Sequence, residues 1–139
     1  MAKRIWPVIL IVLLFTPGCK SRKPAGQPVV SQICVIYGTS GNSIQRTYTG
    51  QQKMRQILNC LRTLGQQFTP FTDPETITAP QYTIRILSTD GSSRSYCVKS
   101  DRYIRTGSEP WKQADPERIS KLNQILQSLT PDSSHTKNR

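Results

Sequence analysis

Histidine is nearly absent. The 139-residue chain holds one, His135, in the polar stretch Pro131 to Arg139. Zinc chemistry and Ser/His or Cys/His catalysis need an imidazole that packed neighbours can orient, so none is favoured here. Carboxylates are scarce as well, 8 against 19 lysines and arginines, which leaves a formal net charge of +11 and a pI near 10.0. The few present are scattered. Asp73/Glu75 and Asp115/Glu117 flank prolines, where loop and cap roles account for them. None of the four cysteines forms a C-x-x-C pair or a metal clip, and no Gly-rich phosphate loop links a strand to a helix, since Gly38-Thr39-Ser40-Gly41 reads as a hairpin turn. The sequence therefore argues against an enzyme and implies no metal and no other cofactor. No apolar run reaches the roughly 18 residues that cross a bilayer as a helix.

What is present begins at the N-terminus. Met1-Ala2-Lys3-Arg4 is basic, Ile5 to Phe15 is apolar, and Thr16-Pro17-Gly18-Cys19 follows. This order predicts a secretory signal over 1–18. It resembles the signal of bacterial lipoprotein precursors, in which a small residue precedes a cysteine that becomes lipidated and N-terminal; Gly18-Cys19 matches, while Thr16 stands where that motif prefers Leu. The resemblance implies lipidation at Cys19 and an extracytoplasmic, membrane-anchored protein. Residues 19–28, rich in Lys, Arg, Pro and Gly, read as a flexible basic tether. Removing Lys3 and Arg4 with the signal leaves +9, so the domain is basic in its own right. Such a surface favours anionic partners, namely lipid head groups, an acidic wall polymer or an acidic protein, and export argues against nucleic acid.

Residues 29–130 are enough for one domain. Val29 to Tyr37 is apolar at both alternating sets, as in a central strand, and Ser43 to Tyr48 returns after the turn. Gln51 to Leu64 carries Met54, Ile57, Leu58, Leu61 and Leu64 on one helical stripe, with Cys60 at its edge. Residues 66–80 hold three prolines and connect the halves. Gln81–Ser88 and Ser93–Lys99 form a second hairpin. A three-residue loop with Gly91 left-handed sets Ile84 opposite Tyr96 and Tyr82 opposite Val98, gathering apolar residues on one face. A short strand spans Arg102 to Thr106, and Trp111 is expected to staple the start of the last helix to the sheet. In that helix Asp115 caps, Pro116 sits at the first position, and Ile119, Leu122, Ile125, Leu126 and Leu129 form the buried stripe. Residues 131–139 read as a disordered tail. The expected class is α+β, in the order β-β-α-β-β-β-α, with an antiparallel sheet bearing both helices on one face. The two hairpin-plus-helix units suggest a duplicated shape.

The phrases running from Tyr48 to Asn59 (YTGQQKMRQILN) and from Asp101 to Arg105 (DRYIR), followed by Trp111 and Asp115-Pro116-Glu117, resemble a group of small uncharacterised lipoproteins from gut clostridia. That resemblance implies no activity.

If both helices cover one face, the other is the candidate site. It would carry Thr83, Arg85, Ser95, Cys97 and Lys99, joined by Arg102 or Arg105, a shallow cationic surface better suited to a polymer or protein than to a small molecule. The favoured function is a membrane-tethered binding or adaptor module for an anionic envelope component or acidic protein. An inhibitor or immunity-type protein that blocks an enzyme with its sheet is the alternative, and a ligand-capturing lipoprotein a third. With Cys19 lipidated, at most one disulfide can form, and Cys34 with Cys97 is the pair that shares the open face.

Overall fold

The computed structural model describes residue 26 and residues 28–38, 41–64, 69–70 and 80–138. Cys19, the expected signal over 1–18, nearly all of the expected tether and most of the 66–80 connection lie outside the described residues. The elements are β1 (Val30–Gly38), β2 (Asn42–Tyr48), α1 (Gln51–Leu64), β3 (Thr69–Pro70), β4 (Tyr82–Ser88), β5 (Ser93–Lys99), β6 (Tyr103–Thr106), β7 (Lys112–Gln113), α2 (Pro116–Ser128) and β8 (Ser133–Asn138). All eight strands join one antiparallel sheet in the order β3-β7-β6-β5-β4-β1-β2-β8. The fold is α+β, as expected, with three more strands than the sequence predicts.

Alternation builds the covered face. Ile33, Val35 and Tyr37 of β1 stand opposite Ile86, Ile84 and Tyr82 of β4, and Ile84 and Tyr82 meet Tyr96 and Val98 of β5. The predicted hairpin register is therefore the observed one. Gly91, at φ +83°, makes it possible, with the Gly91 N–H donating to the Ser88 carbonyl at 3.1 Å. Gly38 serves the first hairpin: at φ +92°, a Cβ there would come within 2.3 Å of the Asn42 carbonyl oxygen.

Both helices lie on this face, and their stripes fill one core with the strands. Ile33, Ile57, Ile84, Val98, Ile119 and Leu122 are fully buried there, each contributing roughly 1.5–3 kcal/mol. Cys60 belongs to this core rather than to its edge, and burial raises its thiol pKa, which disfavours a reactive thiolate. The α2 cap forms as predicted, the Glu117 N–H donating to Asp115 Oδ1 at 3.0 Å. An Arg118 guanidinium N–H donates to the Thr63 carbonyl in the last turn of α1, where a cation complements the helix dipole.

Two departures concern the sheet edges. The predicted disordered tail instead holds β8, whose six residues pair with β2 from Asn42↔Asn138 to Thr47↔Ser133. Every β8 side chain is exposed, so the strand is held by backbone hydrogen bonds and leaves no apolar alternation in the sequence. Asp132 fixes its start. The Asp132 N–H donates to the Thr47 carbonyl at 2.8 Å, and its Oδ2 accepts from the Thr49 and Gly50 N–H groups at 2.8 and 3.1 Å, capping the approach to α1. Lys53 closes the ion pair at 2.5 Å, and together these donors hold the carboxyl well below the usual carboxylate range.

The duplicated shape extends to those edges. β1 and β4 meet at the centre, with β2 and β5 flanking them outward. The strand after α1, β3, lies beyond β7 at the far edge of the second half, while the strand after α2, β8, lies beyond β2 at the far edge of the first. Each half thus supplies the outer strand of the other.

Candidate binding face

No described element packs on the sheet face opposite the helices. Register sets its rows. Thr47, Cys34, Arg85 and Ser95 lie across β2, β1, β4 and β5; Gln45, Ile36, Thr83, Cys97 and Arg105 lie across β2, β1, β4, β5 and β6. Lys99 stands opposite Tyr103 at the next position. Three of the four candidate cations therefore share this face, and Lys99 and Arg105, diagonal neighbours on adjacent strands, have α-carbons about 8 Å apart.

Their environments differ. Arg85 is exposed. Arg105 is half-buried, its guanidinium 4.9 Å from the centre of the Trp111 ring and its Nη2 3.9 Å from Cys97 Sγ. Its Nε is buried without a hydrogen-bond partner. None of Arg85, Lys99 and Arg105 pairs with a carboxylate among the described residues. Arg102 is a correction: it lies in the β5–β6 turn beyond the strand, exposed and 3.7 Å from Asp101, and so does not join the face by register. The β5–β6 ladder closes at Lys99↔Tyr103, which leaves Ser100, at φ +57°, Asp101 and Arg102 in the turn.

Trp111, just ahead of α2, packs on the sheet as expected, and it does so on the open face, 6% exposed, with Cys97 and Tyr103 in a small separate cluster. The signal was available in the alternation Trp111-Lys112-Gln113-Ala114. Ala114 enters the main core, so Trp111 and Gln113 point the other way.

The proposed Cys34–Cys97 disulfide is absent, and Cys34, Cys60 and Cys97 are free and buried. Cys34 and Cys97 do share the open face, but β4 runs between their strands, so their α-carbons are separated by at least about 9.5 Å, too far for a bridge. Each thiol instead contacts a hydroxyl, Cys34 that of Thr47 at 3.9 Å and Cys97 that of Thr83 at 3.6 Å.

Beside Arg85 a shallow open depression of about 710 Å³ is lined by Thr83, Ser95, Thr106 and Glu109, and Glu109 is engaged by Lys112 at 2.9 Å. The surface is broad, polar and cationic, suited to the oxygen atoms of an extended anion. Among the described residues no cluster of three His, Cys, Asp or Glu could hold a metal, and no helix is long and apolar enough to cross a membrane. Compared with family models, curated proteins and solved structures, the chain matches none.

Proposed function

We propose that this chain is an extracytoplasmic lipoprotein, anchored through Cys19, that presents its open sheet face as a binding or adaptor module to an anionic envelope component or acidic protein. One observation carries the reading: Arg85, Lys99 and Arg105 share a face on which no described carboxylate neutralises them. A cationic surface whose arginines and lysine are not held in internal ion pairs attracts anions from solution. Membrane attachment follows from the lipid. Each buried methylene contributes roughly 0.8 kcal/mol, so two acyl chains hold a protein stably where one does not.

Two experiments test the parts separately. Cys19→Ser should release the full chain from the membrane fraction or leave its precursor uncleaved; wild type and variant of equal acylation state in one fraction would remove the anchor. Replacing Arg85, Lys99 and Arg105 with Gln should weaken binding to a polyanionic wall polymer, and wild-type binding should fade between about 0.05 and 0.5 M salt as the Debye length shrinks. If the wild type binds no better than a neutral protein at low salt, the charge serves solvation alone.

A further inference from the structure

The end of the sheet where the chain enters β1 carries a second cationic surface, which meets the open-face depression at Ser93 and Arg94. Two adjoining recesses of about 380 and 650 Å³ lie between α1 and the lower ends of β1, β4 and β5, and share Val30, Leu58 and Arg62. Arg55 lines the first and Arg94 the second; these two and Arg62 are exposed, and no Asp or Glu lines either recess. None of the three arginines has an ion-pair partner among the described residues. Their floor is apolar, made by Val30, Leu58 and Met54, and Val29 beside it is 65% exposed. Cations around an apolar floor match the boundary of an anionic bilayer, where phosphates lie above acyl chains.

Position selects that occupant. The Thr89 N–H donates to the Val29 carbonyl at 2.8 Å, tying the start of the domain to the β4–β5 turn, so the chain arrives at this end and no other. The ten residues from Lys20 to Val29 span at most about 35 Å fully extended, which holds this end within that distance of an anchor at Cys19.

We infer that the groove between α1 and the β4–β5 hairpin is a docking surface for an anionic phospholipid membrane, with Arg55, Arg62 and Arg94 on head-group phosphates and Val29 at the acyl boundary. The inference rests on the proposed anchoring. Docking there stands the sheet on its end, so that Arg85, Lys99 and Arg105 face sideways into the envelope instead of down onto lipid.

Arginine footprinting tests it. The full chain, purified from membranes, is reconstituted into phosphatidylglycerol or phosphatidylcholine vesicles, treated with phenylglyoxal at low salt and mapped by mass spectrometry. Modification of Arg55, Arg62 and Arg94 should be several-fold slower on phosphatidylglycerol, while Arg85 and Arg102 should react alike on both. In the R62Q/R94Q chain the protection of Arg55 should fall, because two of the three phosphate contacts are gone. Equal rates on both lipids, equal protection of every arginine, or protection of Arg85 and Arg102 instead would overturn the groove. So would the same protection on phosphatidylcholine when soluble wall polymer is added. The mass of the N-terminal peptide reports lipidation of Cys19 independently, so failure of the anchor and failure of the groove are distinguishable.

Discussion

The same strands make both faces of the sheet by the same alternation, yet the two faces are held by different physics. On the covered side Ile33, Val35, Ile84 and Val98 are fully buried and interchangeable in chemistry, stabilised by the area they remove from water. On the open side the buried apolar cluster is small, Trp111 with Cys97 beside Arg105 and Tyr103; Ile36 and Leu87 are half-buried, and polar and cationic side chains such as Thr83, Arg85 and Lys99 stand among them. One face is built to be dry with no second partner, whereas the other leaves charge unneutralised. A sheet can thus specify its fold with one set of alternating residues and leave the other set free for function.

Truncation on the covered face should have the largest effect. Ile84→Ala removes a side chain flanked by Val35 and Tyr96 and should cost about 3–4 kcal/mol in denaturant unfolding; a loss under 1 kcal/mol would mean the helices do not cover β4. Trp111→Ala should cost less, about 2 kcal/mol, because its cluster is small and lies outside the main core, and it should free Arg105. Faster phenylglyoxal modification of Arg105 in that variant would verify the contact; an unchanged rate would refute it.

The third effect depends on pH. Asp132 has a folded pKa below its unfolded value near 4, so its contribution is complete above about pH 4 and is lost as pH falls through the folded value. Asp132→Asn should therefore be less stable than wild type at neutral pH, with the gap narrowing below about pH 4. A gap of constant size down to pH 2 would show that the carboxylate charge is irrelevant. Arg85→Gln should give the smallest change, within about 0.5 kcal/mol, since Arg85 is exposed and has no ion pair among the described residues, while lowering polymer affinity at low salt.

Much of the covered face was legible in the sequence, because apolar periodicity is the direct imprint of burial. The α1 and α2 stripes, the Asp115 cap and the Ile84↔Tyr96 register all follow from it. What was illegible shares a cause. β8 is held by its backbone, β3 and β7 are two residues each, and Arg102 misses the face because of a turn at Ser100; none of these leaves a hydrophobic pattern. The Cys34–Cys97 pairing failed for another reason, since face is readable from alternation but lateral strand order is not.

The crossed outer strands have a kinetic meaning. Neither half can finish its own border: β2 waits for residues some ninety positions later, and β7 is bordered by a strand made before it. Pairings of such sequence separation are slow to form, and during that interval β2 offers an unpaired edge to any other chain. Assembly is therefore committed only late, when Asp132 reaches the start of α1 and draws β8 alongside. Until then the chain is most exposed to intermolecular strand exchange, in which the β8 of one molecule borders the β2 of another.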